Sequence, residues 1–279
     1  MISLFLSVLS SSLVSIVMRL STHRVKHNLG MLTMNYIVCA LLAGLFGGFA
    51  GAFDLGNSLV GATLAMGTVN GFLYLAGFML MQINIRKNGV VLSSIFQKLG
   101  LLVTLVISVV FYREIPDFFQ GGGFVLAVFA IFLMNYQTGS TNVGSRAGLI
   151  AMLLSCGMAD AMSKVFTESG AAVLECQFLF YTFAVAMGLC FVCMTVKGQR
   201  IGLQEAAFGT MIAVPNFFSS KFLLGALESL SAVIVYPVFS VGTILTVTLA
   251  GVLLFRERLS HKQWIGVAVI LAALVLLNN

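Results

Sequence analysis

Lys98 stands inside a long apolar stretch, with Gln97 beside it and Ser94 one turn earlier. A charge at the bilayer centre costs at least about 2.5 kcal/mol even on lenient insertion scales. About ten residues separate Lys98 from either end of its span, roughly 15 Å of helix, which its own side chain cannot bridge. It is therefore expected either to face a wet central cavity and touch substrate or to partner a buried acid. Asp160 and Lys164 are spaced i, i+4 on a later span, so they share a helix face and can pair. Asp160 is the candidate for a proton-linked carboxylate, the alternative being an ion pair with Lys164 that anchors the helix.

Uncharged polar residues extend the set. Asn70 and Tyr74 lie one turn apart, Asn216, Ser219, Ser220 and Lys221 follow Pro215, and Tyr236, Ser240 and Thr243 surround Pro237. Polar groups on a membrane helix turn toward protein rather than lipid, either to bond another helix or to meet a ligand. The expected substrate-binding set is Lys98, Ser94, Gln97, Asn70, Tyr74, Asn216, Ser220, Tyr236 and Ser240, with Asp160 and Lys164 as coupling residues. No Gly-x-x-x-x-Gly-Lys-Ser/Thr motif is present, so ATP does not drive the chemistry from within this chain. His23, His27 and His261 fall in loops, and no carboxylates pair beyond Glu114 and Asp117, so an embedded enzyme is disfavoured and neither metal nor cofactor is expected. Cys39, Cys156, Cys176, Cys190 and Cys193 sit in or beside apolar stretches and read as small buried hydrophobes.

These residues must be positioned by membrane helices. The chain is 59% hydrophobic and 9% charged, with a mean hydropathy of +1.06, whereas soluble domains carry about a quarter charged residues. Apolar runs near the roughly 20 residues needed to span a bilayer recur at 2–20, 30–50, 58–82, 88–111, 117–136, 147–165, 173–195, 206–226, 230–254 and 261–277. They are expected to be helical, since open strands leave their backbone unbonded in lipid. Pro215 and Pro237 fall inside two of them, where each removes an intrahelical hydrogen bond and invites a kink. The net charge of +6 is spread over short loop clusters rather than one face, which argues against nucleic acid. Most of the basic residues fall in the connections after spans 1, 3, 5, 7 and 9, which by the positive-inside rule puts both termini outside the cytoplasm.

The chain also repeats itself. Residues 89–135 overlay 232–278 at a constant offset of 143, placing Arg113-Glu114 on Arg256-Glu257, Gln120 on Gln263 and Gly123 on Gly266. With a drift of two residues Ser15 falls on Asp160 and Arg19 on Lys164. The expected organisation is a five-helix repeat over 1–136, a polar connector over 137–146 and a second five-helix repeat over 147–279. An odd number of helices per repeat inverts the second copy in the membrane. Lys98 overlays Val241 and Ser94 overlays Pro237, so the repeat fails where the polar residues are densest.

The run from Asn88-Gly89-Val90-Val91 to Tyr112-Arg113-Glu114, followed by Gln120-x-x-Gly123, resembles the drug/metabolite transporter superfamily, in particular its ten-helix EamA-type carriers. The second copy, ending Phe255-Arg256-Glu257-Arg258-Leu259 and continuing Gln263-Trp264-Ile265-Gly266, is similar to that family's short-loop signature, with Arg256 and Arg113 where glycine is usual. The resemblance covers essentially the whole chain. It implies an all-α polytopic membrane protein of about ten helices in two inverted five-helix repeats, and transport of small molecules. It also implies cytoplasmic termini, against the charge distribution.

Together these readings predict a secondary transporter of a small polar metabolite, such as an amino acid or another anionic or zwitterionic compound, in the cytoplasmic membrane. The predicted mechanism is alternating access, proton- or exchange-coupled. An exporter of lipophilic or cationic drugs is the rival, and the fixed positive charge of Lys98 weighs against it. A non-transporting membrane subunit is a further alternative. The expected partners are a small-molecule substrate and the lipid bilayer, with the chain acting as a monomer or homodimer.

Overall fold

The computed structural model describes residues 1–21, 24–48, 58–88, 93, 96–135, 146–169, 172–255 and 261–277. Among them are ten α-helices and no strand. They are α1 (Ile2–Ser21), α2 (Asn28–Gly47), α3 (Ser58–Asn88), α4 (Leu101–Tyr112), α5 (Phe118–Asn135), α6 (Arg146–Ser169), α7 (Glu175–Val196), α8 (Leu203–Leu227), α9 (Ala232–Phe255) and α10 (His261–Leu277). Each expected apolar run has its helix. Seven, namely α1, α2, α3, α6, α7, α8 and α9, contain stretches long and apolar enough to cross a membrane, and α4, α5 and α10 are shorter apolar helices. Large hydrophobic side chains such as Phe111, Val196 and Leu253 stand strongly exposed, an arrangement that suits lipid rather than water as the surrounding solvent. The molecule is a multi-pass helical membrane protein.

The chain divides into two compact units, residues 1–75 with 165–228 and residues 76–164 with 229–279. Each draws on both sides of the 137–146 connector, of which Arg146 alone is among the described residues.

In the first unit α1 packs along α8, while α2 packs on α7 and α8. The α1–α8 register is antiparallel. Ser7 Oγ donates to the Ser219 carbonyl at 2.8 Å and Ser219 Oγ returns a bond to the Ser7 carbonyl at 3.3 Å. Nearer the other end of the pair, Val14, Val17 and Met18 pack against Phe208, Ile212 and Met31. The approach of α3 to α7 depends on Gly71, where a Cβ would lie 2.7 Å from the Thr182 carbonyl oxygen. Buried Glu205, in the first turn of α8, clips the α1–α2 loop to the start of its own helix. Its Oε1 accepts the backbone N–H groups of Lys26 at 3.1 Å and His27 at 3.2 Å, and its Oε2 accepts that of Gly202 at 3.2 Å.

In the second unit α5 packs along α10, and α9 contacts α4, α5 and α10. The helix of Lys98 departs from expectation. Instead of one span over 88–111, residues 96–98 are helical, Leu99 and Gly100 form a turn, and α4 then runs from Leu101 to Tyr112. Gly100 donates to the Gln97 carbonyl at 3.1 Å, Leu102 to Leu99 at 2.9 Å and Val103 to Gly100 at 2.9 Å. These i→i+3 bonds wind the backbone more tightly than an α-helix, a form found at hinges and functional sites. The cause is a backbone approach to α6. A Cβ on Gly157 would collide with the Gly100 carbonyl and come within 2.7 Å of Val103 Cβ.

Candidate functional site

Lys98 sits two residues before Gly100, so it occupies a helix interruption rather than the middle of a continuous helix. The close packing of Gly100 on Gly157 brings Lys98 beside the turn of α6 that carries Cys156 and Asp160. Lys98 and Asp160 lie within electrostatic reach of each other, without a direct ion pair, and Cys156 is near both. Both side chains are densely surrounded by protein yet remain half-buried rather than sealed, as is Gln97.

Neighbouring bonds hold the pair in position. Thr104 Oγ1 donates to the Gly157 carbonyl at 3.3 Å, fixing α4 on α6. The hydroxyl of Tyr236, on α9 and 2% exposed, donates to the backbone carbonyl of Asp160 at 2.5 Å. Ser240, one turn further along α9, is also buried. Ser94 lies outside the described residues.

The expected pairing of Asp160 with Lys164 is replaced by another. Lys164 Nζ lies 2.6 Å from Glu114 Oε1, is 1% exposed, and stands 5.6 Å from the centre of the Tyr112 ring. The spacing i, i+4 permitted a pair along α6. Lys98 supplies the charge opposite Asp160, and the long stem of Lys164 carries its ammonium to Glu114, at the far end of α4. Glu114 Oε2 accepts Ser231 Oγ and the backbone N–H of Ala232, both at 2.9 Å, at the start of α9. Glu114 precedes α5 in sequence. It serves the N-terminus of α9 instead, where unpaired N–H groups and the helix dipole favour a carboxylate.

The remaining candidates belong to the first unit. Asn70, on α3 and 1% exposed, donates from Nδ2 to Thr182 Oγ1 at 3.4 Å, while its Oδ1 has no hydrogen-bond partner. One turn on, the Tyr74 ring meets Phe183 edge-on, with centroids 6.3 Å apart. Asn216, directly after Pro215, donates from Nδ2 to Asn35 Oδ1 at 3.3 Å and to Cys39 Sγ at 3.7 Å. Ser220 is half-buried on the same helix. Lys221 pairs with Glu175 at 2.7 Å and reaches Cys176 Sγ at 3.3 Å.

Sequence reasoning missed Asn35, Cys39, Thr182 and Cys156 as neighbours of these candidates. The signal for the first two was present, because Asn35 and Cys39 stand at i, i+4 in an otherwise apolar run. Cys39, read as a small hydrophobe, is buried as expected but also bonds the Ala213 carbonyl at 3.3 Å.

The EamA-like transporter family model matches residues 1–136 and 146–279. The chain belongs to the EamA-like transporter family. As an EamA-like protein it belongs to a family of membrane transporters. A relative from Haemophilus influenzae, described only as an uncharacterized protein, is 27% identical over 210 residues, covering 73% of this chain and 72% of that protein. A crystal structure of a protein with 12% identity superposes with a TM-score of 0.74, covering 99% of this chain and 94% of that one. At that identity the similarity shows that the EamA-like chain shares a fold.

Proposed function

We propose that this EamA-like chain is a secondary transporter of a small anionic or zwitterionic metabolite, an amino acid being the type case, in the cytoplasmic membrane. The observation that carries the reading is half-buried Lys98 at the Gly100 interruption, within electrostatic reach of half-buried Asp160. A lysine charge inside the bilayer is expensive and is retained where it serves a pathway. In the empty carrier the ammonium and the carboxylate neutralise one another. An arriving carboxylate replaces Asp160 as the partner of Lys98, and Asp160 then takes either the substrate's ammonium or a proton. That exchange of partners couples substrate movement to a proton or to a counter-substrate, with no energy source inside the chain. Gln97 and Tyr236 complete the polar lining in this unit. The two inverted repeats alternate access to the site.

The test is counterflow in proteoliposomes, with candidate substrates first selected by thermal stabilisation of the purified protein. Lys98→Met is expected to abolish counterflow while expression persists. Asp160→Asn is expected to uncouple net transport from the proton gradient while leaving exchange. Undiminished counterflow in Lys98→Met would remove Lys98 from the site.

A further inference from the structure

One surface of the first unit carries an apolar groove. The groove, of about 980 Å³, runs between α1 and α8, with Leu13 and Val17 on one wall and Leu203, Ala207, Val214 and Phe218 on the other. It continues along α8 as far as Phe222. At 1.5 Å per residue that is about 28 Å, close to the roughly 30 Å depth of a bilayer's hydrocarbon core. The lining is almost wholly apolar, so whatever fills it is hydrocarbon.

Its two ends differ. Because α1 and α8 run antiparallel, with Ser7 bonded to Ser219 and Val17 packed near Phe208, the end of α1 meets the start of α8. Four exposed basic residues gather at that corner, Arg19 at the end of α1, Arg24 and Lys26 in the following loop, and Arg200 three residues before α8. The backbone holds them there. Glu205 accepts the N–H groups of Lys26 and His27, and Gln199 Oε1 accepts that of Leu29 at 2.9 Å. The opposite end of α8 has its lysine, Lys221, already paired with Glu175, and ends at the acidic Glu228.

We propose that this groove binds an anionic phospholipid, with an acyl chain along α8 and the headgroup phosphate at the Arg19, Arg24, Lys26 and Arg200 corner. A hydrocarbon groove with cationic groups at one end matches a ligand with an apolar tail and an anionic head. A second copy of the chain fits less well. A two-fold axis along the membrane normal through this groove would set the basic corner against its own mate, and like charges repel.

The test is native mass spectrometry of the delipidated full-length protein with phosphatidylglycerol and phosphatidylcholine of identical acyl chains. Wild type should retain phosphatidylglycerol preferentially. The triple variant Arg24→Ala/Lys26→Ala/Arg200→Ala changes only exposed side chains and should lose that preference, at roughly fivefold per basic residue removed. Ala207→Trp fills the groove and should lower retention of both lipids. Millimolar inorganic phosphate alone should not displace the bound lipid, because the acyl chain contributes to its retention. Equal retention of the two lipids, an unaltered preference in the triple variant, or a lipid-free dimer would each overturn the proposal. So would full competition by phosphate combined with an unaffected Ala207→Trp.

Discussion

Lys164 and Glu114, 50 residues apart in sequence, form an ion pair of 2.6 Å in which the lysine is 1% exposed. The other carboxylate oxygen of Glu114 closes the start of α9 through Ser231 and Ala232. One side chain thus joins the end of α4, the middle of α6 and the beginning of α9. Removing one partner of a buried pair strands the other charge, at a cost of about 3–5 kcal/mol. Glu114→Gln should therefore melt far below wild type in detergent. Glu114→Gln combined with Lys164→Met should recover most of the loss, since the stranded charge is gone. A double variant no more stable than Glu114→Gln alone would show that the helix-capping bonds dominate.

Arg113 is the one non-glycine residue with positive φ among the described residues, at 56°. It follows α4 directly, and the N–H of the next residue, Glu114, donates to the Ser108 carbonyl at 3.2 Å. A side chain in this left-handed region is strained where glycine is not. Arg113 is exposed and little packing is lost with it. Arg113→Gly should stabilise the protein by about 1 kcal/mol, read as a raised melting temperature. Arg113→Ala keeps the Cβ and should show no gain.

Gly157 and Gly121 make a matched pair of probes. A Cβ on Gly157 would strike the Gly100 carbonyl and Val103, whereas nothing lies within 4 Å of one on Gly121. Gly157→Ala should cost about 1–3 kcal/mol through overpacking, and should reduce transport further by displacing Lys98 from Asp160. Gly121→Ala should be neutral or slightly stabilising, by up to about 1 kcal/mol. Measuring melting and counterflow on both separates the helix approach from any general intolerance of alanine.

Asn216 shares its amide between Asn35 and Cys39 on α2. Cross-helix hydrogen bonds of this kind are worth about 0.6 kcal/mol each on average in membrane proteins. A double-mutant cycle on Asn35→Ala and Asn216→Ala should return a coupling of that order in melting experiments. If Asn216 also touches substrate, Asn216→Ala should weaken substrate-induced stabilisation while Asn35→Ala does so less.

The concentration of lysine and arginine in alternate loops predicts the sidedness of the chain. In a background without native cysteines, Arg24→Cys should resist an impermeant thiol reagent in intact cells and react after permeabilisation. Ready labelling in intact cells would place that loop outside.

Helix positions were readable because hydrophobic run length is a local property, and the runs found their helices with small shifts at the ends, except 88–111, whose helix α4 starts only at Leu101. The unusual standing of Lys98 was equally local, since a charge in an apolar run needs no structure to be noticed. Its partner was not. Lys98 and Asp160 are joined by the fit of two glycines on different helices, and Gly100 and Gly157 look in sequence like any other small residues in a membrane span. Lys164 shows the same limit from the other direction. Helical spacing correctly put it on the face of Asp160, but spacing does not reveal that a flexible four-carbon stem ends at a carboxylate 50 residues away.

The pairing of α1 and α2 with α7 and α8 has a consequence for biosynthesis. When the ribosome has made only the first two helices, Asn35 and Cys39 have emerged while Asn216 and the Ala213 carbonyl, more than 170 residues later, do not yet exist. The early helices must enter the membrane with those polar groups unsatisfied or served by a temporary neighbour. Final assembly of that unit is thus a late event, set by translation of α8. A chain truncated at the connector would be an orphan for membrane quality control, and the two fragments made separately would have to find each other.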